Sequence, residues 1–183
     1  GREIERASFP SSFNTSTTRP ALTNATKVVS TKWHATFNLP TQVAEPNKVS
    51  ANTYNAKGML TGQSWTATTD ATGAAKFSAV KTGSTYATGW SYSANSLATT
   101  IVTKETAAGA TTAVETGRWT AKYNATGDMT QADNVTQRQT AKATAFDAHG
   151  NTTRMTDESG AALTISYDTR GRLKNYARSP GRS

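Results

Sequence analysis

The sequence predicts an all-β protein: an antiparallel strip of consecutive β-hairpins forming a curved open sheet with exposed edges. Three observations predict it: a Thr-rich composition, short runs of strict alternation, and an aromatic–Asp/Asn–Gly turn pattern that recurs along the chain. Thr is β-branched and suits a pleated, half-wetted surface, whereas helices favour Leu, Glu, Lys and Gln. Four Trp, six Tyr and five Phe among 183 residues separate the chain from disordered sequences, which are poor in aromatics.

The elements follow in order. Residues 1–26 are polar and aperiodic apart from Phe9 and Phe13, and read as an irregular or extended lead-in. From Lys27 the pattern changes: Val29, Thr31, Trp33, Ala35 and Phe37 alternate with Val28, Ser30, Lys32, His34 and Thr36, the period of a half-buried strand. Pro40 and Pro46 bracket a short extended segment around Val43. Tyr86, Thr88, Trp90 and Tyr92 share one strand face. So do Leu97, Thr99, Ile101 and Thr103, then Gly117, Trp119, Ala121 and Tyr123, and finally Leu163, Ile165 and Tyr167. Thr68–Ala75 and Thr106–Thr112 are small, polar and Gly-containing, as loops between strands are. Lys104–Glu115 is Ala-rich enough to suggest a short helix, but Gly109 and the Thr residues favour a loop or hairpin.

The turn pattern is an aromatic, then Asp or Asn, two variable residues, Gly, one more residue and usually an apolar one. It occurs at Tyr54-Asn55-Ala56-Lys57-Gly58, Tyr123-Asn124-Ala125-Thr126-Gly127, Phe146-Asp147-Ala148-His149-Gly150 and Tyr167-Asp168-Thr169-Arg170-Gly171. A worn copy is Tyr92-Ser93-Ala94-Asn95-Ser96-Leu97, in which Asn95 is read as the stand-in for Gly. The spacing has a physical reason. Asp or Asn hydrogen-bonds backbone amides further round the turn, and Gly accepts the left-handed conformation that closes it. Asn55, Gly58, Asn124, Gly127, Asp147, Gly150, Asp168 and Gly171 are therefore the expected turn formers, and Tyr54, Tyr123, Phe146 and Tyr167 the packing anchors at each hairpin base. A lone hairpin is marginal, so successive ones are expected to join into one sheet.

Phe146–Leu173 resembles two consecutive repeats of the Rhs, or YD-repeat, family, and Thr31–Pro40 with Val43–Pro46 is similar to a segment of bacterial members. The resemblance covers Lys27–Ala177, with Asn in place of Asp at Asn55 and Asn124. It implies a β-strip of the kind that winds into a hollow shell. In bacterial polymorphic toxins and Tc toxin complexes such a shell encloses a toxic domain, and in teneurins it forms part of an adhesion molecule. The resemblance also implies that this chain is a fragment or small relative of such a shell.

Other chemistry finds little support. Without Cys, disulfides, thiolate metal sites and cysteine nucleophiles are excluded, and His34 and His149 alone cannot build a multi-histidine centre. His34 is placed on the strand face opposite Trp33, and His149 at a variable turn position. Asp157 and Glu158, adjacent in a strand, would point to opposite faces, wrong for paired acid–base work. One carboxylate per turn is too few for calcium. No catalytic, cofactor or metal site is expected, and the protein is read as a non-enzyme. A net charge of +8, with Arg170, Arg172, Lys174, Arg178 and Arg182 as the densest basic run, favours an anionic glycan over nucleic acid. No long apolar run suggests a membrane span, and no signal peptide is visible.

The expected organisation is a lead-in over 1–26, a YD-repeat β-sheet domain over 27–177 and a basic tail over 178–183. The expected function is a structural module forming the wall of an Rhs-type shell, or a self-associating extracellular filament. The expected partners are further repeats or other copies, joined by edge-strand pairing, and an enclosed toxin domain. The alternative is a glycan-binding adhesin module. Either job places it outside the bacterial cell or on its surface.

Overall fold

The structure is a computed structural model that describes residues 2–10 and 21–181. The lead-in residue Phe13 and the tail residue Arg182 lie outside that set. The fold is all-β, as the sequence predicts. Thirteen strands are hydrogen-bonded in the order in which they occur along the chain. They are β1 (Glu5–Ser8), β2 (Lys27–Trp33), β3 (Pro40–Glu45), β4 (Lys48–Tyr54), β5 (Leu60–Thr68), β6 (Lys81–Tyr92), β7 (Ala98–Thr106), β8 (Val114–Tyr123), β9 (Met129–Asn134), β10 (Gln139–Phe146), β11 (Thr152–Asp157), β12 (Ala162–Tyr167) and β13 (Leu173–Ser179). Single 3-10 turns at Leu22–Asn24 and Lys76–Ser78 are the helical elements among the described residues. The Ala-rich Lys104–Glu115 stretch is the end of β7, a loop and the start of β8.

Two compact units are distinguished. The first comprises Gly1–Gly89 and Thr103–Glu115. Its two sheet faces follow from register. Ser30, Ala44, Val49, Thr66 and Thr85 are successive cross-strand partners on one face, and Thr31, Val43, Ser50, Trp65 and Tyr86 form the row beside it. Because side chains alternate, these rows point to opposite sides. The Ser30 side is covered: the loop after β5 folds back so that Val28 N–H donates to Thr72 O at 2.7 Å and Asn47 N–H to Asp70 O at 2.7 Å. Asp70 holds that loop, accepting from Thr72, Gly73 and Ala75 N–H groups. Gly73 lies against the Val28 carbonyl, where an added Cβ would come within 2.2 Å. Val28 is fully buried beneath, with Ser30, Ala44, Thr66 and Thr68 around it.

β1, inside the segment read as lead-in, pairs with β2 from Glu5↔Ser30 to Ser8↔Lys27. Lys76 is ion-paired with Glu5 at 2.6 Å, joining the covering loop to β1.

The second unit comprises Trp90–Val102 and Thr116–Ser183. Here Ala143, Met155, Leu163 and Arg178 form one row, and Ala121, Ala132, Ala141 and Asp157 another on the same face. Ala161 and Ala162 are buried. A single layer half-buries most of its side chains, which suits small and β-branched residues better than Leu. β13 runs to Ser179, two residues beyond Ala177, and all seven of its residues are exposed.

One strand is shorter than its alternation suggests. β2 ends at Trp33, and His34 precedes a bend over 35–38, where its Nδ1 accepts from Thr36 N–H at 3.1 Å and Phe37 N–H at 3.2 Å. A side chain that satisfies local amides competes with the sheet ladder, so the alternation through Phe37 is broken.

Candidate functional site

The repeated corner is the most regular feature of the molecule. At Asn55 the backbone N–H donates to Met59 O at 2.9 Å, and Gly58 N–H donates to Asn55 O at 2.9 Å. The Asn55 side-chain oxygen accepts from Lys57 N–H at 2.9 Å and Met59 N–H at 3.0 Å. Gly58 sits at φ +75°. One side chain thus satisfies two amides that the turn would otherwise leave open, and Gly takes the left-handed position at no steric cost.

The same geometry recurs. Asn124 accepts from Thr126 and Asp128 N–H, with Gly127 at φ +94°. Asp147 accepts from His149 and Asn151 N–H, with Gly150 at φ +85°. Asp168 accepts from Arg170 and Arg172 N–H, with Gly171 at φ +74°.

Two corners differ from the sequence reading. At the worn copy, Ser93 N–H donates to Leu97 O and Ser96 N–H to Ser93 O, so Ser96, at φ +66°, occupies the Gly slot and Asn95 does not. Spacing from Tyr92 decides the slot, not the better left-handed propensity of Asn. The sixth corner is Asp157-Glu158-Ser159-Gly160, where the sequence suggests two carboxylates in a strand. Asp157 Oδ1 accepts from Ser159 N–H at 2.9 Å and Ala161 N–H at 3.0 Å, and Gly160 is at φ +78°. Glu158 lies in that turn and accepts from Thr140 N–H. The Asp-x-x-Gly spacing marks this corner, but Thr156 replaces the aromatic before it.

The carboxyls in these corners are held below the ordinary Asp range. The Asn151 side-chain amide is the main cause at Asp147, the Ser159 hydroxyl at Asp157, and the Arg172 backbone N–H at Asp168. Each partner donates to the charged form and so favours it. Arg172 also pairs with Asp168 at 2.8 Å. Such carboxylates are committed acceptors with low basicity, the opposite of a general acid or base poised near neutrality.

The aromatic before each corner lies at the hairpin base. Tyr54 is the register partner of Leu60, Tyr123 of Met129, Phe146 of Thr152 and Tyr167 of Leu173, each beside a register shift. Tyr54 OH donates to Pro40 O at 2.8 Å, Tyr123 OH to Ala98 O at 2.8 Å and Tyr167 OH to Thr152 O at 3.1 Å. In each case the acceptor is the first residue of the strand preceding the one the tyrosine ends. Each of these three tyrosines therefore fastens its corner to the strand before it, a role that packing alone does not reveal.

Among the described residues no group of three or more His, Cys, Asp and Glu is placed to hold a metal ion. Among the same residues no helix is long and apolar enough to cross a membrane.

Fold and corners together define a repetitive all-β protein assembled from one hairpin unit. Residues 146–182 match the RHS Repeat family, so that segment of the chain is similar to an Rhs repeat. A TcdB2–TccC3–Cdc42 crystal structure aligns at 13% identity and a TM-score of 0.34, covering 83% of this chain and 9% of that one. A mutant Photorhabdus luminescens Tc holotoxin pore aligns at 14% identity and a TM-score of 0.33, covering 84% of this chain and 9% of the other. The chain thus spans about a tenth of the length of these structures. No curated protein matches it.

Proposed function

We propose that this chain is a non-enzymatic structural module: β-sheet wall of an Rhs-type assembly, extended by pairing of its edge strand with further repeats or another copy. The observation that carries this reading is β13, exposed along its whole length and directly preceded by a corner of the repeat. An edge strand of this kind presents a row of backbone N–H and C=O groups to a further antiparallel strand. The corners support the reading because they use their carboxylates for folding the backbone, which leaves them unsuited to acid–base chemistry. The resemblance to shell-forming relatives supports an extracellular or cell-surface setting and an enclosed toxin domain as a further partner.

Light scattering over a range of concentrations tests edge pairing. The chain is expected to show a mass above one molecule that rises with concentration, with strips or filaments in electron micrographs. Tyr176→Lys places a charge at a residue 68% exposed on β13 and is expected to return the mass toward a single chain. A single-chain mass at every concentration overturns the proposal.

A further inference from the structure

The face of the first unit opposite Ser30 carries a pair of exposed aromatics. Trp65 and Tyr86 are cross-strand partners whose rings stack with centroids 4.6 Å apart and an interplanar angle of 27°. They are 41% and 40% exposed. Tyr86 occupies one face of the indole, so the other face looks across Ser50, the Trp65 partner in β4, toward Val43 in β3. Two strand spacings, roughly 10 Å, separate the Val43 backbone from that of Trp65, and the short Ser50 side chain between them leaves a slot. One wall is aromatic, the other aliphatic, and the floor bears a hydroxyl.

Polar groups lie one step along the same strands. Asn52 and Gln63 are register partners, and Gln63 Nε2 donates to Asn52 Oδ1 at 3.2 Å. That bond orients both amides and leaves the Gln63 carbonyl oxygen to accept from a ligand. One step the other way, Lys48 and Glu45 form an ion pair at 3.0 Å, so the charges beside the slot neutralise one another.

We propose that this slot binds a neutral glycan whose pyranose rings carry equatorial hydroxyls, the chain running along β4 over Ser50 and Asn52. Such a ring presents only C–H bonds on its two faces, an apolar body suited to the open face of Trp65 and to Val43. Its hydroxyls project from the ring edge, where the Ser50 hydroxyl and the Gln63 carbonyl can meet them. A few placed polar groups within apolar walls are the usual make-up of a small-ligand site. The neutral surroundings favour this ligand over the anionic glycan that the overall charge suggests. The site is independent of whether the sheet takes up further strands.

The test is a titration of the isotope-labelled full chain with cellohexaose at millimolar concentrations, following the Trp65 indole N–H, assigned by its loss in Trp65→Phe. A saturable shift of that signal is expected. The manno-configured hexaose with the same linkage, which has an axial hydroxyl at C2 of each ring, is expected to bind at least tenfold more weakly. Ser50→Ile fills the slot and is expected to weaken cellohexaose binding at least tenfold, with the melting temperature preserved. Gln63→Ala, at an exposed position, is expected to weaken it severalfold and supplies a second variant should Ser50→Ile not fold. The proposal is overturned by the absence of a saturable shift, by equal affinity for the two sugars, or by wild-type affinity in a folded variant.

Discussion

The hydroxyl of Tyr123 donates to the backbone carbonyl of Ala98 at 2.8 Å, joining the end of β8 to the start of β7. Tyr54 and Tyr167 make the same connection in their own hairpins, to Pro40 and Thr152. The fourth anchor, Phe146, ends β10 and has no hydroxyl to offer the start of β9 at Met129.

Tyr123→Phe should therefore destabilise the fold by about 0.5–1.5 kcal/mol, the usual net worth of one hydrogen bond. Phe146→Tyr should stabilise it by a similar amount if its hydroxyl reaches the Met129 carbonyl. Urea denaturation of the two variants measures both. A neutral Tyr123→Phe would mean that the tether is replaced by water without loss.

The glycine slots make a matched pair of predictions. Gly171 is at φ +74° with open space around the position of a Cβ, so Gly171→Val tests the backbone alone. A loss of about 1–2 kcal/mol is expected, and an unchanged melting temperature would contradict the turn assignment. Ser96, at φ +66°, bears the strain that Gly avoids. Ser96→Gly should raise the melting temperature, partly offset by the greater freedom of the unfolded chain.

Acid should weaken the corners that are built on Asp. An unfolded Asp titrates near ~3.9, and Asp147, Asp157 and Asp168 titrate lower in the folded chain. As pH falls, the unfolded chain takes up protons first. The stability these groups contribute is therefore complete above the unfolded value and is lost as pH drops through the folded ones. Replacing all three by Asn, the residue already found at Asn55 and Asn124, should flatten the acid limb of a plot of melting temperature against pH. A limb as steep as that of the parent chain would assign acid sensitivity to other groups.

Thr68 is buried, and its hydroxyl, like that of Ser30, has no hydrogen-bond partner. Thr68→Val keeps the shape and removes the uncompensated polar atom, which should stabilise the fold by about 1 kcal/mol. A destabilised variant would indicate that an ordered water serves the hydroxyl.

Much of this architecture is legible in the residues because its determinants are local. An aromatic, a side-chain acceptor and a glycine at fixed spacing specify a corner within a few residues, and the corners then fix which strands pair. Local rules also explain the failures. Alternation continues through Phe37, but the His34 ring captures two amides and ends β2 early. Asp157 lacks an aromatic before it, so the full turn pattern does not mark Gly160 as a turn former. The cover over Val28 depends on Asp70 curling a loop back across β2, a contact between residues far apart in sequence that periodicity does not carry. The Trp65–Tyr86 stack likewise depends on the register of β5 with β6, although each residue was recognisable as part of a strand.

Each strand from β2 to β12 hydrogen-bonds with the strands immediately before and after it in the chain. Closing such short loops costs little chain entropy, and proteins rich in near-neighbour contacts fold fast for their size. Assembly can then proceed as a zipper, each newly synthesised segment docking on the one already in place. Duplicating or deleting a whole unit would leave the remaining pairings intact, so such a chain can change length by recombination without having to reinvent a fold.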